Sequence, residues 1–140
     1  MSGEFLDTNI LVYAHDSTAR KKQEIAADLL LRLSAEHAGL LSTQVLMEFF
    51  VTVTRKIPKP LNLDTAMEIV ADFGTWPTFA PKVEDVLHAI RIVNSYSIGF
   101  WDALIIRAAT AMGASVIWSE DLTDGKRYEG IPVRNPFKAA

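Results

Sequence analysis

Phe5-Leu6-Asp7-Thr8-Asn9-Ile10-Leu11-Val12-Tyr13-Ala14 begins as an apolar run, breaks at Asp7-Thr8-Asn9 and resumes as a second apolar run. An apolar strand that ends on a carboxylate, followed at once by helix-like sequence, puts that carboxylate at the strand's C-terminal end. In open α/β sheets, ligands sit at that edge. The stretch predicts a strand over Glu4–Asp7, first helical turns over Ile10–Ala14, and an acidic group at the edge where function resides.

Outward from this stretch, strand and helix patterns alternate. Asp16-Ser17-Thr18 is suited to cap a helix from about Ala19 to Glu36, with Ile25, Ala26, Leu29, Leu30 and Leu33 at helical spacing. Its first turn, Arg20-Lys21-Lys22, has the wrong sign for the helix dipole, which marks these charges for a surface role. Gly39–Ser42 reads as a second strand. Gln44–Lys56 reads as a helix with Val45, Leu46, Phe49, Phe50 and Val53 on one face, stopped by Pro58 and Pro60. Leu63–Phe73 is a further helix with a Thr65–Glu68 capping box, and Trp76–Ala80 an edge strand or extended link. Lys82–Tyr96 carries Val86, Leu87, Ile90 and Val93 as its apolar face. Trp101–Met112 is a strongly apolar helix closed by Gly113. Ala114–Trp118 and Ile131–Val133 complete the strands. The alternation predicts an α/β fold, a mostly parallel sheet of four to five short strands covered on both faces.

The chain has 140 residues, 49% apolar and 22% charged, which suits one globular domain over residues 1–140. With no Cys, neither disulfides nor thiolate metal sites are available, in keeping with an intracellular, cytoplasmic setting. No basic segment precedes the first apolar run, as a secretory signal would require, and no apolar stretch is long enough to span a membrane. A net charge of −3 gives no global attraction to nucleic acid, but leaves room for a local basic lip.

Four acids break their local patterns. Asp7 ends the first strand and Asp121 follows the fourth, at the same edge of a parallel sheet. At about 100° per residue, Asp102 falls between Ile105 and Ile106 and almost over Ala109, on the apolar side of its helix. Glu48 lies about 60° beyond Val45, at the margin of the apolar stripe. Each has a purely structural alternative: Asp102 an N-cap with Trp101 and Ile106 as a staple, Asp7 and Asp121 turn residues, Glu48 a solvated flank. Together they predict a cluster of like charges that needs a cation, and an all-oxygen donor set suits Mg2+ or Mn2+ over zinc. His15, His37 and His88 have no metal-ligand spacing. Neither a Gly-rich phosphate loop nor a nucleophile elbow is present.

Four pieces, in order, resemble the PIN-domain nucleases and, among them, the VapC-type toxins of toxin–antitoxin pairs. They are Phe5-Leu6-Asp7-Thr8-Asn9-Ile10-Leu11, Ser42-Thr43-Gln44-Val45-Leu46-Met47-Glu48, Phe100-Trp101-Asp102-Ala103-Leu104-Ile105 and Trp118-Ser119-Glu120-Asp121-Leu122. The resemblance implies a three-layer α/β/α sandwich and a Mg2+-dependent ribonuclease. Asp7 and Asp102 resemble direct metal ligands. Glu48 resembles the acid that acts directly or through water, and Asp121 the fourth acid, with Glu120 and Asp124 near enough to substitute. Thr8, Asn9 and Ser119 resemble the polar groups that orient such carboxylates. RNA would need basic groups at the pocket mouth. Candidates are Arg20, Lys21 and Lys22, then Arg55, Lys56 and Lys59, then Lys126 and Arg127; at least one of the three clusters is expected to be a solvated face. The resemblance also implies an antitoxin partner and a homodimer formed through apolar helices, with the Val45–Val53 and Leu63–Phe73 helices as candidates. The alternatives are an RNA-processing PIN nuclease without an antitoxin and a non-catalytic PIN-fold binding module.

Overall fold

The computed structural model describes residues 3–138; Met1 and Ser2, on which part of the signal-peptide expectation falls, lie outside the described residues. The elements run β1 (Glu4–Leu6), α1 (Thr8–Ala14), α2 (Lys21–Glu36), β2 (Gly39–Ser42), α3 (Thr43–Arg55), α4 (Leu63–Phe73), β3 (Thr78–Phe79), α5 (Val83–Tyr96), α6 (Phe100–Ala111), β4 (Val116–Trp118), β5 (Arg127–Tyr128) and β6 (Ile131–Arg134). The sheet has six strands in the order β3-β2-β1-β4-β6-β5, rather than the expected four to five. All pairings are parallel except β5 with β6. The strand missed in the sequence, β5, is a two-residue arm of a hairpin turned at Glu129 (φ 51°) and Gly130 (φ 83°). Two successive positive φ values make the tight two-residue turn that matches strand twist, and Gly130 was its sequence signal.

The strand order fixes the layers. From β1 the chain steps to β2 and then β3 in one direction; from β3 it crosses back to β4 on the other side of β1. Right-handed crossovers then put α1–α4 on one face and α5–α6 on the other, giving the three-layer α/β/α sandwich. Packing follows suit: α1 contacts α2 and α3, α3 contacts α4, and α5 lies along α6. The point where the direction reverses lies between the C-terminal ends of β1 and β4, where a ligand crevice is expected. Phe5, Leu6, Ile10, Leu11, Leu41, Phe49, Ile106 and Ile117 are fully buried around the sheet.

Several local expectations change. Asp16 does not cap α2; its carboxylate accepts from Thr18 N and Thr18 Oγ1, closing a turn, and the helix starts only after Arg20. The α4 cap is Asn62, which accepts from Thr65 N, not a Thr65–Glu68 box. Asp102 is not an N-cap: α6 begins at Phe100 after Gly99, placing Asp102 inside the first turn.

The largest revision concerns α5. Val86, Leu87 and Ile90, expected to face the core, are exposed with Val83 on an outward stripe, whereas Asp85, Ala89 and Ile92 are buried. The buried face is held by Asp85, whose carboxylate accepts from Arg107 Nε of α6 (2.8 Å) and from Lys82 N (2.8 Å). These donors hold the Asp85 carboxyl below its usual range, the backbone bond from Lys82 first. Ile92→Ala should therefore cost about 2–5 kcal/mol in urea denaturation, and Ile90→Ala no more than about 0.5 kcal/mol. The reverse order would return the outward stripe to the core.

Candidate active site

The chain leaves β1 at Asp7, and Asp7 N donates to Trp118 O of the neighbouring β4 (2.9 Å). That bond extends the β1–β4 register, in which Leu6 pairs with Trp118, by one position. Asp7 is also the N-cap of α1: Oδ1 accepts from Thr8 N (2.7 Å), while Oδ2 accepts from Ser119 Oγ (2.8 Å). The carboxylate is 5% exposed. Burial pushes it up to about 7, against the hydrogen bonds from Ser119 and Thr8; the charges of Asp121 and Asp102 push the same way as burial.

Glu48 lies on α3, half-buried as its helical angle predicts. Its Oε1 accepts from Thr8 Oγ1 (2.7 Å) and its Oε2 from Gln44 Nε2 (3.2 Å). Asp102 reaches the site from the first turn of α6, in the opposite helical layer. Burial first, then the charges of Asp121 and Glu48, hold its carboxyl above the usual range. Asp121 is more exposed and accepts from Asn9 Nδ2 (3.1 Å), while Asn9 Oδ1 accepts from Glu120 N (3.1 Å). Ser119, fully buried, accepts through Oγ from Asp121 N and Leu122 N (both 3.1 Å) while donating to Asp7. Thr8 thus contacts Asp7 through its backbone N and Glu48 through its hydroxyl, Ser119 contacts Asp7, and the Asn9 side chain contacts Asp121 rather than the neighbouring Asp7.

All four acids line one cleft of about 790 Å³, with Thr8, Asn9, Tyr13, Gln44, Lys56, Trp101 and Glu120 also on its wall. Among the described residues, none of the four is within ion-pair distance of Lys, Arg or His. This donor set fits a hard divalent cation: carboxylate oxygens only, three of the four held by neutral donors, with Asp7 and Asp102 raised by burial first and then by neighbouring acids. No three acids among the described residues stand close enough to form an assembled coordination sphere, so the cleft offers ligands rather than a finished site.

The two rival fourth acids are otherwise engaged. Glu120 accepts from Tyr13 OH (2.6 Å) and pairs with Lys22, and these partners hold its carboxyl below the usual range despite partial burial. Asp124 is absent from the cleft wall; it accepts from Asn135 N (2.8 Å) and faces Lys138 (3.6 Å). Of the basic candidates, Lys56 alone lines the cleft. Lys22 is tied to Glu120 at its rim, and Lys126 sits over the Tyr96 and Tyr128 rings. Arg127 donates to Gly130 O, and Arg20, Lys21, Arg55 and Lys59 are exposed away from the wall. Sequence reasoning missed Tyr13, Gln44 and Trp101 as cleft residues. Trp101, 63% exposed beside Asp102, was the most visible of them, since a helix staple would have buried it.

The PIN domain family matches residues 5–124, a span that contains all four acids. The chain belongs to the PIN domain family. A comparison with curated protein sequences finds no match. Among solved structures, this PIN domain is similar to a DNA-bound VapBC from Salmonella typhimurium, at TM-score 0.67 and 18% identity over 97% of this chain and 99% of that one. It is similar to a toxin–antitoxin complex from Klebsiella pneumoniae, at TM-score 0.68 and 15% identity, over 96% and 98% of the two chains. VapC20 from Mycobacterium tuberculosis, described as a sarcin–ricin loop cleaving toxin, matches at TM-score 0.64 and 16% identity, over 85% and 90%. At these identities the likeness establishes the fold.

The Asp7 environment has a pH signature. The folded state keeps the Asp7 proton to about pH 7, whereas its ordinary value is 3.8. Asp7 therefore favours the fold most below about pH 4, and that contribution is lost as pH rises through about 7. In EDTA-stripped protein, the stability of Asp7→Asn relative to wild type should grow across this window and level off above it, read from denaturant midpoints. The constant offset depends on how Asn packs, but the slope does not. A flat difference would place Asp7 in an ordinary solvated setting.

Proposed function

We propose that this PIN domain, taken as one unit over the whole chain, is a divalent-metal-dependent endoribonuclease and the toxin of a toxin–antitoxin pair. The observation that carries the proposal is the cleft at the β1–β4 switch point, where Asp7, Glu48, Asp102 and Asp121 gather, the first two and the last held by neutral donors and none, among the described residues, in an ion pair with a basic group. Asp7 and Asp102 are assigned as ligands of Mg2+ or Mn2+, Glu48 as a ligand directly or through water, and Asp121 as the fourth acid. An ion held by these residues would supply Lewis acidity toward the phosphodiester and would make water a stronger nucleophile.

The chain's own contribution is orientation. Ser119 and Thr8 N fix both oxygens of Asp7, Thr8 Oγ1 and Gln44 fix Glu48, and Asn9 fixes Asp121. Lys56 on the cleft wall is the basic group best placed to meet the RNA backbone, with Arg55 beside it on α3. The solved relatives support the partner assignment: two are complexes of toxin with antitoxin, and the M. tuberculosis protein is described as cleaving the sarcin–ricin loop. A homodimer is part of the proposal. Met47 and Val51 on α3, with Leu63 and Met67 on α4, are exposed apolar groups on the two helices singled out for it. A cytoplasmic setting is proposed as well; among the described residues, no helix is long and apolar enough to cross a membrane.

Purified protein should cleave structured RNA in Mg2+ or Mn2+, and both EDTA and Asp102→Asn should reduce cleavage to background. Asp102→Asn should leave the metal-free fold at least as stable, since it removes one of the repelling charges. Mg2+ should raise the melting temperature more at pH 8 than at pH 5, where Asp7 holds a proton that competes with the ion. Full cleavage by Asp102→Asn would sink the site assignment. Failure to cleave any RNA tested would favour a binding module.

A further inference from the structure

Gln44 is a polar residue in a place that its chemistry does not favour. It stands in the first turn of α3, two residues after the N-cap Ser42, and is 5% exposed. A buried primary amide brings two donors and a carbonyl acceptor, all of which need partners. Gln44 Nε2 donates to Glu48 Oε2 (3.2 Å) and to the Trp101 carbonyl (3.0 Å). Gln44 Oε1 is buried and has no hydrogen-bond partner among the described residues. Turning the amide over would set Oε1 against those same two acceptors, so the surroundings select this orientation. A buried acceptor without a partner is destabilising, and such a group marks a position where something other than stability is served.

One bond stays within α3, four residues along the helix, and the other crosses between the molecule's layers. Glu48 belongs to α3, packed with α1 and α4, while Trp101 belongs to α6, packed with α5 on the other face of the sheet. The accepting carbonyl is that of the residue immediately before Asp102. One amide therefore grips the Glu48 carboxylate and the turn that carries Asp102. With Thr8 Oγ1 on the opposite oxygen, Glu48 is held at both Oε1 and Oε2 by uncharged donors. Uncharged donors fix a carboxylate without supplying the positive charge that a Lys or Arg would, so its charge remains free for a cation.

We infer that Gln44 is a positioning residue: it sets the Glu48 carboxylate against Asp102 so that α3 and α6 present their acids to one cation. The inference rests on the metal-dependent reading proposed above. It assigns the unpaired Oε1 to the cost of that arrangement, since the same side chain made apolar would pack without it.

The test uses the full chain as wild type, Gln44→Met and Gln44→Asn, with Mn2+ alone as the binding probe. Gln44→Met keeps the volume and loses the donor; Gln44→Asn keeps the amide but not its reach. Calorimetry should show Mn2+ affinity reduced roughly 10- to 100-fold in both variants, as for other groups that orient metal-binding side chains. The kcat for RNA should fall with KM unchanged, because substrate contacts are intact. The metal-free melting temperature of Gln44→Met should equal or exceed that of wild type. Wild-type affinity and turnover in both variants would overturn the inference and leave the nuclease proposal standing. So would a Gln44→Met protein that loses its fold, since the amide would then serve the core. A wild-type chain that neither binds Mn2+ nor cleaves RNA would remove the nuclease proposal, and this inference with it.

Discussion

Asp7 and Ser119 leave β1 and β4 side by side, each the first residue beyond its strand, joined by the Ser119 Oγ to Asp7 Oδ2 hydrogen bond. That position is set by the parallel register, which pairs Leu6 with Trp118 and continues through Asp7 N to Trp118 O. A slip of one residue would turn Asp7 to the other face and unseat the cap of α1. The cleft inherits this arrangement. Thr8 and Asn9, at the start of α1, reach Glu48 and Asp121, while Ser119 holds the loop after β4 through two backbone amides. A contact between two three-residue strands thus orients groups from three segments of the chain: the β1–α1 junction, α3 and the loop after β4.

The charge pattern separates the four acids from three others that find cations: Glu4 with Arg32, Asp85 with Arg107, and Glu120, on the cleft wall itself, with Lys22. In those three, the carboxyl lies below its usual range. Asp7 and Asp102 shift the other way, because burial and neighbouring acids act on them without a compensating charge. Among the described residues neither Asp7 nor Asp102 has such a cationic partner, and both lie in the crevice that the strand order creates. This contrast is the physical basis for assigning a cation to the cleft.

The acids were legible in sequence because each contradicts a pattern: Asp7 a strand, Asp102 the apolar side of a helix, Glu48 the edge of a stripe. Single-residue angles sufficed for that, as did strand order for the shared edge of Asp7 and Asp121. Gln44 was not legible, since a polar residue in a helix's first turn is unremarkable until the opposite helical layer is seen to close over it. Nor could Glu120 be separated from Asp121, which differ only in their partners Lys22, Tyr13 and Asn9, all distant in sequence. The face of α5 was misassigned because periodicity sees two candidate stripes there. The buried Asp85–Arg107 pair, which chooses between them, joins two helices. The α2 cap failed for a related reason, as Asp16 spends its carboxylate on a local turn.

Mn2+ scatters X-rays anomalously, so crystals of the wild-type chain grown or soaked with it locate the ion independently of any activity. An anomalous peak is expected in the cleft, within coordinating distance of the Asp7 and Asp102 carboxylates, and absent from Asp102→Asn crystals treated in the same way. An empty cleft in saturating Mn2+, or an ion bound only at the paired acids elsewhere on the surface, would contradict the cation assignment.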